Sequence, residues 1–511
     1  MGRGGGLGRC MLVLAALALL TRCGDAPTPV PSESASSEPT PPTLTPPDFL
    51  SRIERTPRAP RPPLGPPVEG RDGAGESPTH WVRQEGGADE DRLHALATDA
   101  TGGFVAVGLL GEGPFPTGTG FALARYAADG TPVWTRQVTT ASVRARAVAL
   151  TGEGGIIVAG SYDGAPDLGG GPLSGVSRQG AGFFLARFSA WGALEWSHGF
   201  VATEPEVAHG PRTFVPVMPE AVATDSTGGV VVVGRFQGEM DLGGRVLFAG
   251  EASLEGANPS PGGFIARFSW RGSYLWSRVI EAVDAEPQAG PRTVRVTPEG
   301  MILVGGRVGV GANLGDGALS RSAPFIAEYD SVGGLVWKWL FLGDVSVQGT
   351  VTALQPLSSG SVAFIANLGG AFVFKGRAYT GGAPGELETA DNLSGFAGTL
   401  RARGEEGWLL DTKQPRLLGL AATASDALTV MGLDETHAPV VTRVGTDGAP
   451  VGSRLLDRHL LGEGPASRLL LAPQSGERIL LGGDFQEPLL HEGVAYAPRG
   501  ASDVLFLQLG P

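Results

Sequence analysis

Residues 120–134 read GFALARYAADGTPVW, and this stretch decides the fold. Two apolar-rich runs flank a short polar segment holding Gly130, the pattern of a β-hairpin with a tight turn. The stretch returns as GFFLARFSAWGALEW (182–196), GFIARFSWRGSYLW (263–276) and PFIAEYDSVGGLVW (324–337). A degenerate copy, GFAGTLRARGEEGW, spans 395–408. Gly130, Gly192, Gly272, Gly333 and Gly404 each stand four residues before Trp134, Trp196, Trp276, Trp337 and Trp408.

A second element precedes each of these. It reads ALATDATGGFVAVG (95–108), AVALTGEGGIIVAG (147–160), AVATDSTGGVVVVG (221–234) and VRVTPEGMILVGG (294–306). Weaker copies begin at 351, 420 and 469. This too is a hairpin, but its apolar runs are continuous, as in strands buried on both faces. Two hairpins make a four-stranded unit. Seven first hairpins therefore predict an all-β chain folded as one seven-bladed β-propeller.

The ends of the repeat explain each other. The last unit stops after its third strand, near residue 509. The first recognisable strand, HWVRQEG from His80, has no hairpin partner and carries Trp81 where the outer strands carry theirs. It is expected to complete the last blade and close the ring, since open edges invite aggregation. The repeated tryptophans are read as packing in the seams between blades.

A third element, PDLGGGPL (166–173), begins at the end of a second strand. Its acidic or amide residue recurs as Asp167, Asp241, Asn313 and Asn367. These residues could hold an ion, or could cap a turn by bonding their own backbone while glycines take positive φ. An ion site should be assembled once from several blades, whereas this element occurs once per blade. The turn is therefore the preferred reading and the ion the weaker one.

Residues 1–23 carry Arg3 and Arg9 ahead of an apolar run from Met11 to Leu20, too short for a permanent span. This is a signal-peptide pattern ending at Cys23. The run Leu20-Thr21-Arg22-Cys23 resembles a bacterial lipobox, which implies lipid attachment at Cys23; Arg22 departs from the small residue of that pattern. Cys10 and Cys23 are the only cysteines, so the body has no disulfide framework. Residues 24–79, rich in Pro, Ser and Thr, read as a disordered, extended tether, and 80–511 as the propeller.

The formal charge is −13, which argues against nucleic acid. The seven histidines are scattered, and no hydrolase, zincin, Walker or EF-hand motif occurs. Asp89-Glu90-Asp91 reads as a solvated turn. Glu204, Glu206 and His209 share one loop and form a weak metal candidate. No cofactor is expected. Long connections, such as those near 111–119, 163–181, 200–218 and 239–262, should gather on one face, where a ligand would sit over the central channel.

The order of Asp99–Gly103, Asp167–Leu173, Phe184–Phe188 and Gly192–Trp196 resembles the units of exported bacterial lipoproteins of myxobacterial type with β-propeller (SBBP-like) repeats. The resemblance covers about 80–510. It implies a propeller at the cell envelope and carries no catalytic residues. A weaker resemblance runs to quinoprotein-like propellers, including an outer-membrane assembly lipoprotein, but the Cys-Cys pair frequent in quinoprotein dehydrogenases is missing. The expectation is a non-enzymatic binding or scaffold lipoprotein of the outer membrane, facing the periplasm or the surface. Its partner would be a protein or glycan, and its membrane contact an N-terminal lipid. An enzyme acting on a glycan or using a quinone-type cofactor in the channel, and a surface adhesion protein, stand as alternatives.

Overall fold

A computed structural model describes residues 79–109, 120–140, 142–175, 177–203, 217–249, 261–280, 289–382, 393–461 and 469–510. They build seven antiparallel four-stranded blades and almost no helix. Signal segment, Cys23 and the tether through residue 78 lie outside the described residues, as do Glu204, Glu206, His209 and much of the long connections near 111–119, 200–218 and 250–260; Thr79, expected in the tether, opens a strand.

Each blade begins with its innermost strand. These first strands are Arg92–Thr98, Val143–Leu150, Met218–Thr224, Gly290–Val296, Gln348–Pro356, Arg416–Ala422 and Leu469–Pro473. They touch one another in a closed cycle around the axis, the last meeting the first. Blade 7 takes its outer strand from the other end of the chain. Thr79–Glu85 pairs antiparallel with Asp503–Leu509, from Thr79 opposite Leu509 to Glu85 opposite Val504. The expected closure is present.

The continuous apolar runs have a simple cause. A middle strand is sandwiched between two neighbouring blades, and its side chains alternate between the two seams. In Val230–Phe236, Val230 and Val232 pack toward blade 2, while Val231 and Val233 pack toward blade 4. The buried hydrophobic residues fall into seven clusters, one per seam. There is no single core; seven thin ones add up to the ring.

The recurrent DxxGG turn joins the first strand to the second. Asp225 Oδ1 accepts from the Thr227 and Gly229 N–H groups at 2.8 Å each and from the Thr227 hydroxyl. Its Oδ2 pairs with Arg267 at 2.7 Å, the arginine of the FxARF strand. Arg267 lies opposite Trp276 in the hairpin register. The same pairing links Asp99 and Arg125, with Arg125 opposite Trp134. The three sequence elements therefore form one hydrogen-bonded unit within a blade.

Candidate functional site

The tryptophans lie between blades. Each packs against the turn glycine joining strands three and four of the next blade. The pairs are Trp81 with Gly130, Trp134 with Gly192, Trp196 with Gly272, Trp276 with Gly333, Trp337 with Gly404 and Trp408 with Gly448. All six glycines have φ between 75° and 86°, and a Cβ added at any of them would come within 3.1 Å of the indole. Five indole N–H groups also donate to a turn carbonyl, of Ala128, Ala190, Trp270, Ser331 and Thr446, at 2.9–3.2 Å. Trp337 instead bonds the Glu328 side chain.

Gly448 was not among the glycines singled out from sequence, because the clasp pairs it with Trp408 of the preceding blade and not with a tryptophan of its own. Blade 6 has Gly452 at the tryptophan position, with no atom within 4 Å of where its Cβ would be. Blade 7 joins its third and fourth strands through the two ends of the chain, so it offers no turn for an indole to cover. The clasp is missing where its receptor is missing.

The PDLGGGPL elements are hairpin tips. Asp167 Oδ1 accepts from Gly169, Gly170 and Gly171 at 2.7–3.0 Å. These bonds hold its carboxyl below the usual carboxylate range. Asn313 Oδ1 accepts from Gly315 and Gly317, and Asp241 Oδ1 from Gly243. In each, the capping residue bridges a residue five positions on: Pro172, Val246 and Ala318. Leu168, Leu242 and Leu314 are buried beneath them.

Asn367 does not share this turn. It lies buried in the strand Val362–Gly369, and its amide exchanges hydrogen bonds with Leu417 N and O of blade 6, at 2.7 and 3.0 Å. The matching tip of blade 5 is Lys375-Gly376, and that of blade 7 is Glu492-Gly493. All four residues have positive φ, the two-residue hairpin turn that needs no Asp cap. The repeated letters Asn-Leu-Gly-Gly thus fall one strand too early.

These tips fold outward onto the preceding blade. Arg136 of blade 1 donates to Leu168 O, and Met240 pairs with Ala202 of blade 2. Phe372 packs on Phe341, just past blade 4, and Phe374 on Trp339 of its outer strand. Leu490 N donates to Asp457, and Glu492 pairs with Arg454 of blade 6. Asp91, from the acidic run, is buried, accepts from Gly87 N and bonds the Ser502 backbone.

The inner ring includes a position where blades differ in chemistry. Six first strands carry a β-bulge at the same position, one extra residue near the long-loop end. The bulged residues are His94, Arg146, Glu220, Arg292, Thr352 and Leu418, all half-buried. Flanking residues remain apolar or small. Glu220 accepts from Arg292 of the next blade at 2.9 Å and from both Nε and Nη2 of Arg235 at 3.1 and 2.9 Å. One carboxylate is thus surrounded by two guanidinium groups. Sequence reading missed this ring.

At the opposite mouth a cleft of about 360 Å³ spans blades 3 to 5, lined by Thr224, Val296, Gln355 and Pro356 among others. Among the described residues no three His, Cys, Asp or Glu side chains gather in a metal-ligating group. No helix among them is long and apolar enough to cross a membrane.

No protein-family model matches the chain, and no curated sequence does. It is similar in structure to a protein of unknown function from Dyadobacter fermentans, at 12% identity and a TM-score of 0.39, covering 84% of this chain and 99% of that one. A Dos1 propeller gives 11% and 0.41, over 85% and 96% of the two chains. A chain of the mitotic checkpoint complex gives 9% and 0.44, over 89% and 98%.

Proposed function

We propose that the protein is a non-enzymatic binding or scaffold propeller of the cell envelope, exported and held by a lipid at Cys23, with a protein or glycan partner over the channel mouth on the long-loop face. One observation carries the binding reading. The bulge position changes from His to Arg, Glu, Arg, Thr and Leu around the ring, while the clasp and turn positions repeat. Repetition is what a closed ring needs for packing. Variation at a half-buried inner position is what recognition needs, since a partner sees six side chains of five types held by one rigid frame. The signal-like segment and Cys23 support the address.

The test compares the two faces. A photo-crosslinking residue is placed at position 352, in the bulge ring, and separately at 153, on the tight-turn face. Crosslinked species from intact cells should arise from 352 and not from 153. Equal capture from both, or capture from 153 alone, overturns the reading. Replacing Cys23 with Ser should abolish lipid labelling; retained label removes the anchor.

A further inference from the structure

The charge of the channel lining runs against that of the chain. The seven first strands contain six arginines (Arg92, Arg144, Arg146, Arg292, Arg295 and Arg416), one glutamate and no aspartate or lysine. Their formal charge is +5 in a protein of −13. A narrow passage lined by one sign of charge, with low-dielectric walls, concentrates its field along the axis.

Arg295 is the second arginine of its strand. It stands two residues before the turn that ends its strand. At that position five other blades have alanine: Ala97, Ala149, Ala223, Ala421 and Ala472. Blade 5 has Gln355, which lines the cleft of about 360 Å³ at the tight-turn mouth. The site is asymmetric: small side chains on most of the ring, one guanidinium and one carboxamide on adjacent blades.

The Arg295 side chain keeps accessible surface although protein surrounds it, and this desolvation lowers its pKa. The seams around it are filled by apolar side chains, so that surface faces the axial channel. Among the described residues, its guanidinium makes one hydrogen bond, from Nη1 to Val294 O at 3.0 Å, and no ion pair. The contrast is Arg307, more deeply buried, which bonds the Val347 and Gly349 carbonyls, Ser322 and Gln348. A guanidinium has five donors, so most of those of Arg295 have no hydrogen-bond partner among the described residues. A charge held in low dielectric without a counter-charge is costly.

We infer that the axial channel binds a small oxyanion, a phosphate or carboxylate group, on Arg295, with the Gln355 amide within the same mouth. The bound group would supply the missing counter-charge. This goes beyond the proposed docking of a partner on the long-loop face, because it concerns the lumen and needs no partner.

Alanine is the ring's own residue at this position, so Arg295→Ala restores the repeat and should fold. The full chain is titrated calorimetrically with inorganic phosphate and, in parallel, with citrate, at constant ionic strength set by chloride. The wild type should bind at least one of the two, and the arm that binds identifies phosphate or carboxylate. Arg295→Ala should bind it at least tenfold more weakly. In chloride alone it should melt at or above the wild-type temperature, since an uncompensated charge has been removed. Absence of binding in both arms overturns the inference, as does equal binding by the variant. A lower melting temperature of the variant in chloride also overturns it, since Arg295 would then be a structural residue. The crosslinking comparison of the two faces is unaffected by any of these results.

Discussion

The two junctions of blade 7 solve the same problem differently. Between blades 7 and 1, Trp81 covers Gly130 and donates to Ala128 O, and Gln508 reaches the same carbonyl at 3.1 Å. Gln508 also bonds Gln474, whose amide donates to Gly102 O at 2.6 Å. Between blades 6 and 7 there is no tryptophan and no turn to receive one. That seam relies on its apolar cluster, on Arg454 with Glu492, and on Ser425 with Glu477. Splitting the last blade between the chain ends therefore strengthens one side and removes the standard clasp from the other. The 6–7 seam is the place where the ring should open first.

The largest effect should come from deleting residues 79–85. The strand Asp503–Leu509, buried along its whole length, would become an open edge with apolar faces. Light scattering after gel filtration should show oligomers or aggregate, and a stable monomer would break the account of closure. Next is Trp276→Ala. It removes a half-buried indole and its bond to Ser331 and should cost roughly 2–4 kcal/mol in denaturant unfolding. Its counterpart, Gly452→Trp, has no turn to cover and should change stability by less than about 0.5 kcal/mol. A clear gain would show that blade 7 does offer a receptor.

Gly333→Ala tests the clasp from its other side. Its φ of 85° and a Cβ 3.0 Å from the Trp276 ring should together cost about 1–2 kcal/mol. Acid should weaken the DxxGG turns. Burial alone would raise the pKa of Asp225, but the Thr227 hydroxyl, the Gly229 N–H and Arg267 hold it below the usual value. Asp434 is held low by Thr436 and Ala438 against the same burial. For a depressed folded pKa, the stabilisation is present above the unfolded value near 3.8 and is lost as pH falls through the lower folded value. Asp225→Asn should therefore unfold at less acidic pH and flatten the acid limb of a stability profile. Among the substitutions expected to destabilise, the smallest effect belongs to Arg454→Ala at the unclasped seam. Its half-exposed partner makes the pair worth under about 1 kcal/mol, and added salt should erase the difference.

Much of this frame was legible in the sequence. Period-two runs, turn glycines and tryptophans recur at fixed spacing because each blade meets the same steric demands. The unpaired strand at residue 80 and the blade lacking its fourth strand pointed to closure by the same logic. Local letters misled at Asn367, where Asn-Leu-Gly-Gly lies within a strand and its amide bridges to Leu417. The two-residue tip at Lys375-Gly376 was passed over because it shares no letters with Asp167 or Asp241.

By itself, then, the sequence determined the strand order, the seven blades and the split of the last one, because these follow from local periodicity and turn chemistry. Only the tertiary structure decided what each repeated residue touches. The indole of one blade finds the turn glycine of the next, 40 to 76 residues further on. The bulged residues become a ring, because the seven first strands close around one axis. Those relations arise from closing the circle, and a linear pattern holds no record of which side chains a closed ring turns toward its centre.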